Sequence, residues 1–304
     1  MNTSNQPLVT YVIPCYNQGQ YVEEAIKSII AQDYDRIELI VINDGSTDCT
    51  ENVIFDLEVS CRERFERFCI VSRENKGFVY SLNEGLGWAK GEYFALLASD
   101  DCLLSFKTSR MIETLSREGT DVVAAYAGVE IIDEFGKHVR KISPRAGRYG
   151  FDEIFLKKCP YQTPTQLIRT SELRRIGGFD KNFVSEDWIM LLNLTLGGKA
   201  IVIDDSVVTK YRRHSSNMSK NIDLNHNYRL KVLDKFKNHE LYFHAKSLVL
   251  AGHAGEIADI SIKDSVNSLV DAYLCYPKVV LEKKFRRGLL SVVRSMIGFS
   301  NDRG

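Results

Sequence analysis

The sequence predicts an α/β fold, a mostly parallel, Rossmann-like sheet flanked by helices, followed by a helical C-terminal extension. Three observations carry that expectation. From Leu8 to about Ala127, short apolar and β-branched runs alternate with amphipathic segments, the pattern of parallel strands covered by helices. The run Tyr93-Phe94-Ala95-Leu96-Leu97 reads as a buried strand and leads into two adjacent carboxylates, Asp100 and Asp101. Beyond about Asn221 the chain reads as mostly helical.

In chain order, strands are expected over Val9 to Ile13, Ile37 to Ile42, Phe68 to Val71 and Tyr93 to Leu97. Between the first two, Val22, Ala25, Ile26, Ile29 and Ile30 recur at helical spacing, with Glu23, Glu24 and Lys27 on the other side, so a helix packs on the sheet by one face. A second helix is expected to open at Thr47, capped by Ser46 or Thr47, with Asp48 and Glu51 at the positive end of its dipole. A third runs from about Phe78 to Ala89. The pattern then loosens into a helix near Phe106 to Arg117, a strand near Val122 to Ala127 and a hairpin around Asp133-Glu134-Phe135-Gly136. A loop with Pro160 and Pro164, a turn at Gly177-Gly178, a helix opening near Glu186, and strands near Ala200 to Ile203 and Val207 to Tyr211 follow. No repeat or low-complexity tract interrupts this order, so one catalytic module over 7–221 and a helical region over 222–304 are expected.

Lysine plus arginine and aspartate plus glutamate balance at 40 each, so no global field recruits nucleic acid. The seven cysteines are scattered, without the close spacing of a zinc site or a redox motif, which suits a reduced, cytoplasmic setting. Met1 to Pro7 lacks the basic-then-apolar pattern of a signal peptide, and no later stretch is long and apolar enough to span a bilayer.

Adjacent carboxylates repel and resist desolvation unless a cation neutralises them. Oxygen ligands suit Mg²⁺ or Mn²⁺, and Mg²⁺ is usually held by one or two carboxylates together with substrate phosphates. Asp100 and Asp101 therefore point to a metal arriving with a phosphorylated ligand, the alternative being simple capping of a following helix. In an open parallel sheet, ligands bind beyond the carboxyl ends of the strands. That edge would collect Pro14-Cys15-Tyr16-Asn17, Asn43-Asp44-Gly45-Ser46, Arg73-Glu74-Asn75-Lys76-Gly77 and the Asp pair. An aromatic ring, carboxylates and cations together are what a nucleoside diphosphate needs. Taken singly, Tyr16 also reads as a ring packed on the sheet edge and Asp44-Gly45 as a turn. Neither a Walker loop nor Gly-x-Gly-x-x-Gly follows the first strand, so a dinucleotide or ATPase reading is poorly supported.

The stretches VIPCYNQGQYVEEAIKSIIAQ, LIVINDGSTD, ENKGFVYSLNEGLGWAKGEYFALLASDD, GGFD and SEDW together resemble family 2 of the nucleotide-sugar glycosyltransferases, over roughly residues 7–221. The resemblance implies a GT-A fold, a nucleotide-sugar donor, usually UDP-linked, and an inverting single displacement. Carried over by position, Pro14 and Tyr16 would border the base, Asp44 would accept from uracil, and Asp100 would hold the ribose or assist the metal. Asp101 would be the direct metal ligand, and Asn75 and Lys76 complete the expected nucleotide-sugar set. Many members carry a further Asp two residues before the final pair, where this chain has Ala98.

Ser185-Glu186-Asp187-Trp188 resembles the acidic motif of that family, which assigns Asp187 as general base. A sugar hydroxyl is a poor nucleophile, so a carboxylate within hydrogen-bond reach must take its proton. Ser185 also reads as a helix N-cap with acids in the first turn. Trp188 is expected as a platform for the acceptor sugar, against the commoner use of filling the core. After the last strand, Tyr211-Arg212-Arg213-His214 offers His214 as a further metal ligand and an arginine to neutralise diphosphate. Loops such as Tyr161 to Gln166 would read the sugar hydroxyls.

From about Lys278 to Phe299 the chain is basic and amphipathic, with Leu281, Phe285, Leu289, Val292 and Met296 expected on one helical face. Such a helix can lie on an anionic membrane surface or pack on the protein with its cations solvated. The membrane reading makes a lipid-linked acceptor attractive, such as an undecaprenyl-diphosphate glycan of O-antigen or capsule assembly, with the enzyme peripheral on the inner face of the cell membrane. A sugar nucleotidyltransferase and a non-catalytic nucleotide-sugar-binding scaffold are the rival readings. The first should show a glycine-rich basic loop after strand one, which Gly19 alone does not provide.

Overall fold

A computed structural model describes residues 6–183, 187–215, 217 and 221–298 of the 304-residue chain. Two compact units are seen, one of residues 1–151 and 160–214, the other of residues 152–159 and 215–304. In chain order the first half of the sequence supplies β1 (Val9–Cys15), α1 (Val22–Ile30), β2 (Ile37–Asp44), α2 (Thr50–Asp56), α3 (Glu58–Arg64), β3 (Arg67–Arg73), α4 (Phe78–Trp88), β4 (Tyr93–Leu96), β5 (Cys102–Leu103), α5 (Lys107–Ser116), β6 (Val122–Ile132), β7 (His138–Ile142) and β8 (Gly147–Tyr149). After the short helix α6 (Phe151–Phe155) come β9 (Leu167–Arg169), α7 (Thr170–Arg175), α8 (Asp187–Thr195) and β10 (Ala200–Arg212). The second unit is helical, with α9 (Ile222–Lys235), α10 (Tyr242–Ile257), α11 (Ile262–Cys275) and α12 (Lys283–Met296).

The strands form one sheet in the order β3-β2-β1-β4-β9-β6-β10-β5, with β7 paired to β6 and β8 to β10. The first four strands are parallel throughout. Every residue of β1 and β2 is buried, as expected of strands covered on both faces. α1 covers them with Val22, Ala25, Ile26 and Ile29, the face read from sequence. Chain order runs from β1 outward through β2 to β3 and then returns to place β4 on the other side of β1. The β1/β4 boundary is thus the point where the strand order reverses, the usual ligand crevice of such sheets. Beyond β4 the sheet turns mixed, since β9 is antiparallel to both β4 and β6 while β10 runs parallel to β6.

Three local expectations are corrected. α2 begins at Thr50, and Cys49 precedes it without a side-chain cap. Ser46 and Thr47 are held instead by the neighbouring loop, with the Asn17 amide donating to Ser46 Oγ at 3.0 Å and the Thr47 amide donating to Asn17 Oδ1 at 2.8 Å. The two expected strands after residue 200 are one, β10, bulged between Ile203 and Val207. The expected face of the basic helix is divided, because Val292 is buried and Phe285 packs on the core of the second unit, whereas Leu281, Leu289 and Met296 are exposed. The proposed Ser185 cap and Glu186 lie outside the described residues.

A polar feature crosses the core of the first unit. Lys107, at the start of α5, is 1% exposed and donates to the Gln166 carbonyl at 3.1 Å and to Tyr11 Oη at 3.2 Å, with no carboxylate paired to it among the described residues. It therefore ties the chain just before β9 to the middle of β1. Burial lowers its pKa to about 7 from the usual 10.5. A group whose folded pKa is depressed favours the folded state above its unfolded pKa and loses that contribution as pH falls through the folded value. Relative to Lys107→Met, the wild type is expected to gain unfolding free energy between pH 7 and 10.5. Urea titrations of both proteins at the two ends of that window check it, and a pH-independent difference would contradict it.

Candidate active site

Parallel register brings the expected residues to one edge. Cys15 pairs with Asn43, Asn43 with Ser72, and Asp44 with Arg73, so the ends of β1, β2 and β3 are level. Pro14 is buried within β1, and Tyr16, the first residue past it, is 50% exposed at the rim. The Tyr16 loop is fastened to the β2–α2 loop by the two Asn17 contacts and by the Gln18 amide donating to Thr50 Oγ1 at 2.8 Å and the Gly19 amide to Asp48 Oδ2 at 3.0 Å.

Asp44 serves first as an anchor. Its carboxylate accepts from the backbone amides of Lys76, at 2.7 Å, and Gly77, at 2.9 Å, and pairs with the Arg73 guanidinium. A carboxylate has about four acceptor positions, so one remains on Oδ2. Gly45 follows with φ of +73°, and a Cβ there would meet the Asn75 amide nitrogen at 2.6 Å, so both conformation and space call for glycine. Asn75 and Lys76 have exposed side chains on this same loop, and the Lys76 ammonium stands 4.9 Å from the centre of the Tyr80 ring. Arg73 also reaches Glu84 at 2.8 Å and Ser81 Oγ at 3.0 Å. Sequence reading noted Arg73 only as a neighbour, although strand register alone places it beside Asp44.

The carboxylate pair lies at the β1/β4 switch point. The Leu97 amide donates to the Val12 carbonyl at 3.1 Å, the Asp101 amide donates to the Ala98 carbonyl at 3.1 Å, and β5 then pairs antiparallel with β10 through Leu103 and Thr209. Asp101 is 1% exposed. Its Oδ1 accepts from the Arg212 amide at 2.9 Å, and its Oδ2 is buried with no hydrogen-bond partner among the described residues. Burial, reinforced by the Asp100 charge, raises the Asp101 pKa well above the usual carboxylate range. Asp100 pairs with His214 Nε2 at 2.8 Å. His214 stacks against Tyr21, with centroids 5.4 Å apart, and the Arg212 guanidinium lies 4.7 Å from the centre of the same ring.

Arg212 organises this corner and was not singled out from sequence. Only 2% exposed, it donates through Nε to the Asp100 carbonyl at 2.9 Å, through Nη1 to the Glu134 carbonyl at 3.2 Å, and pairs with Glu24. Strand alternation was the available signal, since Arg212 shares parity with buried Val208 and His214 while Arg213 turns outward.

On the other half of the sheet, Asp187 opens α8. Its Oδ2 accepts from Thr163 Oγ1 at 3.0 Å and its Oδ1 from the Trp188 amide at 2.7 Å. Thr163 belongs to a 3-10 turn, Thr163–Thr165, that is held to β10 by Thr209 Oγ1 donating to the Pro164 carbonyl at 3.2 Å. Thr209 is the residue paired with Leu103, two positions past Asp101, so one ladder connects the Asp187 loop to the carboxylate pair. Trp188 is corrected: it is 1% exposed, and Ile189, Met190, Leu191 and Leu192 beside it are equally buried, so its ring fills the core. The run Trp-Ile-Met-Leu-Leu is apolar on all sides of the helix, which marks a buried helix.

A parallel nucleotide-type half with carboxylates at its switch point, continued into a mixed sheet carrying another carboxylate beside a polar loop, is the GT-A architecture of glycosyltransferases. The comparisons agree. The glycosyl transferase family 2 model matches residues 10–177, and the chain belongs to that family. It is 34% identical over 245 residues to an uncharacterized glycosyltransferase of Rickettsia felis, covering 77% of this chain and 39% of the relative. It is 32% identical over 219 residues to one of Rickettsia typhi, covering 69% and 65%. The match therefore spans less than two thirds of either relative. An Escherichia coli protein, WfaP, named a UDP-Glc:alpha-D-GlcNAc-diphosphoundecaprenol beta-1,3-glucosyltransferase, is 30% identical over 216 residues, covering 70% of this chain and 80% of WfaP. Among solved structures, the mannosyltransferase PcManGT of Pyrobaculum calidifontis with GDP-Man and Mn²⁺ has a TM-score of 0.65 at 15% identity, covering 97% of this chain and 88% of its own. Staphylococcus aureus TarS 1–349 with UDP-GlcNAc has a TM-score of 0.65 at 16% identity, covering 96% and 92%. Membership of this family sets the nucleotidyltransferase reading aside.

Losing the Arg212 guanidinium would leave the Asp100, Glu134 and Glu24 acceptors without their donor. Glu24 is solvent-exposed, so the main loss is of hydrogen bonds from a charged group to backbone carbonyls, about 1.5–3 kcal/mol each. Arg212→Met is expected to lower the unfolding free energy from chemical denaturation by that order, and a variant as stable as wild type would remove Arg212 from this role.

Proposed function

We propose that the chain transfers a hexose from a UDP-sugar to a hydroxyl of a lipid-linked glycan, such as one carried on undecaprenyl diphosphate, with inversion at the anomeric carbon. Such a reaction belongs to bacterial surface-polysaccharide assembly, O-antigen included. The observation that carries the reading is the buried Oδ2 of Asp101, without a hydrogen-bond partner among the described residues, beside Asp100 at the switch point. A divalent cation, Mn²⁺ or Mg²⁺, fits this donor set, because oxygen ligands suit both ions and two adjacent carboxylates need a counter-charge. Asp101, with Asp100 and His214 next to it, would hold the ion. Among the described residues no group of three such side chains is preassembled; a Mg²⁺ site would need substrate phosphates to complete it. When bound, the ion would supply positive charge to the leaving diphosphate.

On the donor side, exposed Tyr16 offers a ring to the base, the remaining acceptor position of buried Asp44 would take a base N–H, and Lys76 adds positive charge to that edge, Arg73 being paired with Asp44 and Glu84. On the acceptor side, Asp187 takes the hydroxyl proton as the acceptor oxygen bonds to the anomeric carbon. The bond from that carbon to the diphosphate oxygen breaks, and UDP leaves with the electron pair. Attack opposite the leaving group inverts the centre. Thr163 and the Trp188 amide fix the Asp187 carboxylate, so its oxygens are aimed before the acceptor arrives. The UDP donor, lipid-diphosphate acceptor and β product in the name of WfaP support this choice. The GDP-mannose of PcManGT marks the donor that would replace UDP-sugar if the base pocket differs.

Asp187→Asn is expected to lower transfer by about 10²–10⁴-fold while UDP-sugar binding is retained. The assay is labelled-sugar transfer onto a lipid-diphosphate GlcNAc acceptor, with the new anomeric linkage read by NMR. Near-normal transfer by the variant would remove Asp187 from the mechanism, and an α linkage from an α-linked donor would rule out inversion.

A further inference from the structure

We infer that the outward face of α12 is a docking surface for an anionic lipid bilayer. Its rotation is set by contacts within the helical unit. Gly288 crosses α10 so closely that a Cβ there would lie 2.6 Å from the Ala251 carbonyl oxygen. Val292 is buried, the Lys284 stem lies across Gly252, and Ser295 Oγ donates to Asp259. With positions 284, 288, 292 and 295 turned inward, the opposite arc carries Leu289, Leu290, Val293, Met296 and Ile297, each between 45 and 63% exposed. Leaving five large apolar side chains in one exposed arc is unfavourable in water without a partner.

Charge identifies the partner. Residues 283–298 contain five cations, Lys283, Lys284, Arg286, Arg287 and Arg294, and no acid. Lys284 is the inward one. The other four are exposed, and no ion pair to them is found among the described residues. At about 100° per residue, Lys283, Arg287 and Arg294 fall along one border of the apolar arc and Arg286 lies within it. Apolar groups able to enter the acyl boundary, bordered by long cations able to reach lipid phosphates, match an interfacial helix. A second copy fits less well, because a two-fold contact would set this acid-free face against itself. No described helix is long and apolar enough to cross a membrane, so the contact would be superficial. The inference does not rest on the donor or acceptor assignment, since vesicle binding is read without turnover.

The test is flotation of the full chain with vesicles of phosphatidylethanolamine and phosphatidylglycerol, against vesicles of phosphatidylcholine alone, at low and high salt. Two double variants at exposed positions accompany it, Arg287→Glu with Arg294→Glu and Leu290→Asp with Val293→Asp. Circular dichroism checks their fold and light scattering their mass. The expected result is binding to the anionic vesicles at least about tenfold stronger than to the neutral ones, weakened by salt and lost in both variants. Equal binding to both vesicles, no binding to either, or unchanged binding by both variants would overturn the proposal. So would a wild-type dimer that the Leu290/Val293 variant converts to monomer, with vesicles left unbound, since the face would then be a subunit contact.

Discussion

The corner where Arg212 meets the Asp100-Asp101 pair is the constraint on which the site depends. Two carboxylates stand at the end of β4, one of them fully buried, and a guanidinium is buried with them. The arginine does not neutralise Asp101 by a side-chain pair. Its amide takes Oδ1, while its guanidinium is engaged by the Asp100 carbonyl, the Glu134 carbonyl and Glu24. The backbone is thereby locked around the pair, and Oδ2 of Asp101 has no hydrogen-bond partner among the described residues. Burial without a partner is costly, and under the proposed function a cation meets that cost.

The same logic of fixing carboxylates by backbone and short polar side chains recurs at the other two positions. Asp44 is held by the amides of Lys76 and Gly77, which bind the β2 and β3 ends into one rim, and Gly45 makes the close approach of those loops possible. Asp187 is held by Thr163 and its own helix start, and the Thr163 turn is fastened to β10 beside the strand that leaves Asp101. Each carboxylate is preorganised by the parallel or mixed ladder on its own side of the sheet. A ligand that bridges the two sides would meet groups already aimed.

The parallel half was legible because two periodicities agreed. The all-apolar strands and the one-sided helix α1 could be satisfied only by a covered sheet, and the register of its ends then follows. What escaped was decided by contacts distant in sequence. Ser46 and Thr47 have the chemistry of helix caps, but Asn17 claims them. Lys107 carries no sequence mark of burial; only the packing of α5 under β1 reveals it. Trp188 carried two readings from sequence, acceptor platform and core filler, and its burial among apolar neighbours fits the second. For α12, composition showed a basic amphipathic helix, yet which stripe faces inward depended on Gly288 meeting α10, and the outward stripe shares only Leu289 and Met296 with the face read by spacing.

The measurement that tests the central claim most directly is calorimetric binding of UDP to wild type and to Asp101→Asn, each with Mn²⁺ and with chelator. The account predicts binding by the wild type that requires Mn²⁺ and is lost in Asp101→Asn. UDP binding of equal strength with chelator present, or retained in the variant, would contradict a cation seat at the buried Asp101 oxygen.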